Sequence, residues 1–270
     1  MLADAIGCEA LKFRRNLSTV FWGFLFVPLL ALGIGLFVEL VFKARLPPSA
    51  VDPGRDAVSA FAQAASPLTQ LFCLIGAAAL FGGDYRWESW RLVTPRCGRP
   101  YLMLAKALIY AAAAAVTVVG IGLAGVLSGL VGAIARHAPL VWTAPAGEWM
   151  VTLLSQAGVS WLQLLQPAAL AALVAVVTRS SLVAVIAPIF VGAAQFLMQN
   201  QIGMQRMAHP SFGDLALFPG LAAGHVRALA DGVSGDVAVR YLALAALALW
   251  ILGGLFAAMV MFERQDLARE

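Results

Sequence analysis

Six stretches of this chain are each apolar for about 20 residues, the length an α-helix needs to cross a hydrocarbon layer of roughly 30 Å at 1.5 Å per residue. They run from Val20 to Phe42, Pro67 to Gly83, Leu102 to Gly132, Leu153 to Val177, Leu182 to Gln199 and Tyr241 to Phe262. Lipid offers the backbone no hydrogen-bond partner, so a run of this kind satisfies itself as a helix. Composition agrees, because 61% of the 270 residues are hydrophobic and only 12% are charged, against about half and a quarter in soluble domains. The expectation is an all-α, polytopic membrane protein with six transmembrane helices in a single domain, residues 1–270.

Charge placement gives the expected orientation. The first apolar run is longer than the roughly 7–15 residues of a cleavable signal peptide and no small-residue cleavage site follows it, so it is read as a span. With both termini on the cytoplasmic side, the inner segments hold 11 of the 18 Lys and Arg in 54 positions, and the outer ones hold 7 in 83. That bias predicts a cytoplasmic (inner) membrane protein with both termini cytoplasmic. The net charge of +4 thus reports topology rather than a nucleic-acid partner, since the basic residues flank apolar runs and do not share a solvated face with aromatics. The same placement puts Cys8 and Cys97 on the reducing side and Cys73 within a span, where no bridge is expected.

Three polar segments stand out. In residues 1–19, Leu2, Ile6, Ala10, Phe13 and Leu17 recur at steps of three and four, with Glu9, Lys12, Arg14 and Arg15 as polar surface. This is the pattern of an amphipathic helix lying on the inner membrane face, either an anchor or a docking element. Between spans two and three, DYRWESWRLVTPRCGRPYLMLAK places Asp84, Glu88 and Arg91 within about 40° of one helical direction and Trp87, Trp90 and Val93 on a separate stripe. Pro95 ends that helix, and Arg96, Arg99 and Lys106 are expected to meet phosphate headgroups. An interfacial anchor and a dedicated contact surface both fit. Residues 200–240 mix Met204, Met207, Phe212, Leu215, Leu217 and Phe218 with Pro210 and Pro219, too apolar for a simple external loop.

Together these features resemble the permeases of ABC-2 type transporters. The likeness rests on the acidic residue, Trp-Arg pair, Thr-Pro-Arg turn and returning Ala-Lys of Asp84 to Lys106. The short basic helix before span one, the Thr178-Arg179-Ser180-Ser181 turn and the Glu263-Arg264-Gln265-Asp266 ending are similar as well. Glu88 and Ser89 stand where many members have Gly and Thr. The resemblance implies a permease subunit that works as a dimer, with a second copy or a homologue, and is driven by a separate nucleotide-binding ATPase that carries ATP and Mg. It implies export of a lipid-like, peptide or drug-like substrate. The cytoplasmic coupling segment, 84–100, would meet the ATPase through Asp84, Arg86, Glu88, Arg91 and Pro95, seconded by Glu9, Lys12 and Arg15. The 200–240 segment would be re-entrant before span six.

The residues themselves add a stripe and several absences. Gln156, Ser160, Gln163 and Pro167 follow one another at steps of four, three and four on one face of span four. They form either a translocation path or gate, or interhelical hydrogen bonds. Glu39 is expected to pair with Lys43 on the same helix face and to snorkel to the outer interface. No glycine-rich phosphate loop ending in GK[ST] occurs, so any ATP is expected on another chain. His137, His209 and His225 fall in outer loops without a metal-binding or nucleophile motif, which argues against intramembrane catalysis. Two alternatives remain at this point, an ATP-independent secondary carrier and a non-transporting assembly module. The first is expected to carry ionisable groups near the midplane and the second needs no polar path.

Overall fold

The computed structural model describes residues 2–43, 47, 50–86, 98–143, 145–201, 207, 209–230 and 237–265. Among these the chain is all-α. Six helices are long and apolar enough to cross a membrane: Leu17–Phe42, Pro67–Tyr85, Arg99–Ala135, Gly147–Thr178, Ser181–Gln199 and Val237–Arg264. They coincide with the six apolar runs and extend them by polar residues at the ends. In chain order the helices are α1 (Leu2–Arg15), α2 (Leu17–Phe42, span one), α3 (Pro53–Gln63), α4 (Pro67–Arg86, span two) and α5 (Arg99–Ala135, span three). Then follow α6 (Ala146–Thr178, span four), α7 (Ser181–Gln199, span five), α8 (Phe212–Leu217), α9 (Pro219–Ala230) and α10 (Val237–Arg264, span six). The end of the bundle that holds α1 and Gln265 is called here the terminal end, and the opposite one the distal end.

Local chemistry explains where the helices start and stop. The Thr178 to Ser181 turn is the tightest case. Arg179 adopts a left-handed φ of 55° and donates its N–H to the Ala175 carbonyl at 2.9 Å, closing α6. Ser180 then caps α7 by accepting from the Val183 N–H at 3.4 Å. Span one is uneven, with π-helical turns at Phe21–Leu25 and Val38–Phe42. The second of these turns contains Glu39.

Span four is the axis of the bundle: α6 packs on α3, α4, α5, α7, α9 and α10. It does so through small residues, since Ala168, Ala169, Ala171, Ala172 and Ala175 are all buried. Between helices in lipid there is little hydrophobic gain, so close approach of backbones and dispersion supply the attraction. Tyr110 on span three and Leu164 on span four are completely enclosed beside them.

At the distal end, the connection between spans one and two contains a helix that the charge tally did not reveal. Asp52 accepts from the N–H groups of Gly54 and Arg55 at 3.0 and 3.2 Å, Pro53 occupies the first turn, and α3 packs inward on α5 and α6. Glycines on α5 admit it. A Cβ on Gly122 would overlap the Phe61 ring, one on Gly125 would overlap Ala60, and one on Gly129 would lie 2.9 Å from Asp56 Oδ2. The two distal connections are stitched together by Val51 N–H to Pro139 O and Val141 N–H to Val51 O, each 3.0 Å. Asp52 also accepts from the Thr143 N–H at 3.1 Å.

This packing predicts that Gly125→Val displaces α3. Overpacking of this kind costs about 1–3 kcal/mol, read as a lowered thermal midpoint in detergent. Gly147→Ala is the control, because nothing lies within 4 Å of a Cβ there, and its midpoint should not move.

Candidate functional site: two polar clusters and a glutamine-lined cavity

The residues singled out in the sequence fall into two groups at opposite ends of the bundle. At the terminal end, Glu9 of α1 is buried rather than part of a polar surface. Its carboxylate binds Lys106 Nζ at 2.8 Å and Lys12 Nζ at 2.8 Å. Asp84, at the end of span two, takes the same two ammonium groups at 2.7 and 3.4 Å. Lys106 also donates to the Leu80 carbonyl at 3.0 Å. Among the described residues two anions and two cations thus form a charge-balanced quartet that joins α1, α4 and α5. Lys106 is therefore not a headgroup ligand, because both of its carboxylate partners lie inside the protein. Burial works against the Lys12 charge, but the Glu9 hydrogen bond and the Asp84 charge outweigh it and raise its pKa. Arg15 is exposed. The Arg86 side chain, Glu88, Arg91 and Pro95 lie outside the described residues, as does Cys97.

On the other side of that segment stands Arg99. Its guanidinium donates to the carbonyls of Phe262, Glu263 and Gln265 at 3.0, 2.9 and 2.7 Å, capping carbonyls at the end of span six. It too is turned to the protein rather than to headgroups. Tyr85 Oη donates to Gln265 Oε1 at 2.9 Å, and Gln265 Nε2 donates to the Val176 carbonyl at 2.5 Å. The described residues on either side of positions 87–97 are thus anchored, Asp84 and Tyr85 before them and Arg99 after them.

At the distal half, the span-four stripe meets an arginine that sequence inspection did not connect with it. Arg227 of α9 donates to Gln163 Oε1 at 2.5 Å, Ser160 Oγ at 2.9 Å and Gln156 Oε1 at 3.2 Å, and also to the Ala62 carbonyl. Ser160 Oγ donates onward to the Phe61 carbonyl at 2.6 Å. Gln156 and Ser160 are buried, and Gln163 is half-buried. The stripe thus holds two short distal helices, α3 and α9, onto span four. The available signal was Arg227 itself, a cation within an otherwise apolar helix, PGLAAGHVRALA. His225 sits beside it with Nε2 3.0 Å from the Met207 carbonyl.

Beyond Gln163 the stripe opens on a cavity of about 560 Å³ between spans two, four and five and α9, within the usual range for ligand sites. Five glutamines line it: Gln70, Gln163, Gln166, Gln195 and Gln199. Gln70 and Gln195 use their amide N–H groups on the carbonyls of Ala65 and Leu217, both at 3.0 Å. Pro67, Pro167, Pro188 and Pro219 line it as well. Pro167 and Pro188 lie inside α6 and α7, where a proline releases the carbonyl four residues earlier. The lining is therefore uncharged, amide-rich and otherwise apolar. It suits a molecule with hydrogen-bonding groups and greasy surface, not a bare ion. Pro167 belongs to this cavity, whereas Gln156 and Ser160 belong to the latch by which Arg227 and the Phe61 carbonyl hold α9 and α3 on span four.

Comparison with protein-family models and with curated proteins finds no match to this chain. The chain is a multi-pass membrane protein on its own structural record, with six candidate spans.

Two substitutions test these clusters. Lys106→Met takes from the buried Glu9 carboxylate one of its two ammonium partners and should cost about 3–5 kcal/mol, with part of the loss restored by adding Glu9→Gln. Arg227→Met leaves Gln156, Ser160 and the Ala62 carbonyl short of a donor, at about 1–3 kcal/mol for each group left unsatisfied. Limited proteolysis should then cut residues 200–240 first.

Proposed function

We propose that this protein is the permease subunit of an ATP-driven ABC-2 type exporter, powered by a separate nucleotide-binding subunit. The observation that carries the reading is the anchoring of the described residues that flank positions 87–97, Asp84 and Tyr85 on one side and Arg99 on the other. Through Asp84 the segment is tied to α1 and span three, and through Arg99 to the end of span six. A partner that pushes on such a segment moves three helices at once. A loop that merely connected two spans would need neither clamp. Asp84, Glu9 and Lys12 then act as the mount of the coupling segment. Arg86, Glu88, Arg91 and Pro95 supply its contact with the ATPase, with Arg15 exposed beside it on α1.

On this reading the terminal end is cytoplasmic, the membrane is the inner one, and α8 and α9 are the re-entrant element that caps the path. The glutamine-lined cavity is the substrate site, and Gln163 and Pro167 are its span-four wall. Its amides favour a peptide or drug-like amphiphile among the lipid-like, peptide and drug-like classes. A second copy or a homologue would complete the path. Span five supports this, since Leu182, Phe190, Phe196 and Leu197 on it are all strongly exposed.

The test is purification of the intact chain from its native membrane in mild detergent, with identification of co-purifying proteins and an ATPase assay. A stoichiometric partner with a phosphate-loop motif is expected, with hydrolysis abolished by Arg91→Glu while the permease stays monodisperse. Gln163→Leu should change transport without releasing the partner. Recovery of the chain alone, without hydrolysis, overturns the reading in favour of a carrier or assembly module.

A further inference from the structure

A second cavity, of about 790 Å³, lies at the distal end between span one, α3 and span three, apart from the glutamine-lined one. Its long wall is apolar, formed on span one by Val27, Leu30, Ala31 and Ile34, and its mouth is charged. From Val27 to Lys43 it follows span one for about 24 Å at 1.5 Å per residue. Half a bilayer with its headgroup layer measures roughly 20–22 Å, so the span-one wall has the length of one lipid leaflet, while the walls facing it also carry Ser59, Gln63, Ser66, Thr69 and Ser128.

The mouth is specific in charge. Glu39 does not snorkel outward. The π-helical turn at Val38–Phe42 presents it to span three, where it binds Arg136 at 2.8 Å as well as Lys43 at 2.6 Å. Two cations on one carboxylate leave a positive surplus. Asp56 of α3 supplies the opposite charge. Its carboxylate packs at Gly129, and that of Glu39 packs at Gly132, one helical turn further along span three, positions about 5–6 Å apart. Among the described residues the Asp56 carboxylate has no hydrogen bond or ion pair. Burial raises its pKa, and the charge of nearby Lys43 only partly offsets this. Asp52 at the mouth is already engaged by Gly54, Arg55 and Thr143, and the Arg55 side chain is exposed to solvent.

We propose that this cavity is a binding site for one phospholipid whose headgroup carries a primary ammonium. Its phosphate faces Lys43 and Arg136, its ammonium faces Asp56, and one acyl chain lies along span one. A purely anionic lipid would meet the unpaired Asp56 carboxylate. A quaternary ammonium would match its charge but offer it no N–H. The site does not depend on the transport reading, because its residues lie outside the latch, the quartet and the glutamine-lined cavity.

The experiment is native mass spectrometry of the intact, detergent-solubilised chain with equal amounts of dioleoyl phosphatidylethanolamine, phosphatidylcholine and phosphatidylglycerol. The ethanolamine lipid should be retained about fivefold over each of the others, the ratio that one partly exposed ion pair provides. Asp56→Asn should level the three lipids and Asp56→Glu should keep the preference. Ala31→Trp, which fills the apolar wall, should reduce retention of all three. Equal retention by the unaltered protein, a preference that survives Asp56→Asn, or retention untouched by Ala31→Trp in a protein of normal melting midpoint overturns the proposal.

Discussion

Inside a membrane a polar group has no water to fall back on, so each one must find its partner within the protein. Among the described residues no fully buried side-chain nitrogen or oxygen lacks a hydrogen-bond partner, whereas the half-buried Asp56 carboxylate at the distal mouth stands without one. The quartet of Glu9, Lys12, Asp84 and Lys106 sets two carboxylates against two ammonium groups. Arg99 spends its donors on carbonyls that a helix end leaves open, and Arg227 spends its donors on the span-four stripe and on a carbonyl of α3. Each of these groups would be costly alone, and each becomes a joint between helices because it is not. Glu39 of span one and Arg136 at the end of span three make a further such joint, so the architecture among the described residues is one of apolar rods fastened at four polar joints.

Legibility followed the same divide. The six spans could be read directly because about 20 apolar residues have one low-energy solution in lipid. Helix α3 was missed because eleven residues with an even mix of polar and apolar side chains give no such signal. Asp52 before Pro53 was a usable start signal, an N-cap followed by proline in the first turn. Ser211 and Asp214 form a capping box that likewise marked α8. The joints themselves lie beyond local reading. Glu9 and Lys106 are separated by 97 positions, and Arg227 is 64 from Gln163, so periodicity placed each residue on its helix face without naming its partner. The stripe on span four was visible, and its occupant was not.

Small residues are what let the joints form at all. Gly122, Gly125, Gly129 and Gly132 on span three make a groove that accepts Phe61, Ala60, Asp56 and Glu39. Only because the groove has no side chains of its own can two carboxylates approach the helix backbone there. The alanines of span four do the same for spans two and six. A bulkier residue at these positions would separate the helices and also open the polar groups to lipid, so packing and electrostatics fail together rather than independently.

Span four links the two ends mechanically. Near its terminal end it receives Gln265 through the Val176 carbonyl, and in its distal half it holds α3 and α9 through Ser160 and Arg227. Pro167 lies between these attachments, where the missing backbone bond makes bending easiest. On the proposed reading, a displacement of Tyr85 and Arg99 would reach Gln265, and from there the terminal arm of span four. The distal arm, fixed by the latch, need not follow. The glutamine-lined cavity lies beside this position, bordered by Pro167 on one helix and Pro188 on the next, so on the proposed reading its width is what such a motion would change. A rigid helix would pass the displacement to both ends equally. A proline between two anchored arms converts it into a change of shape at the cavity.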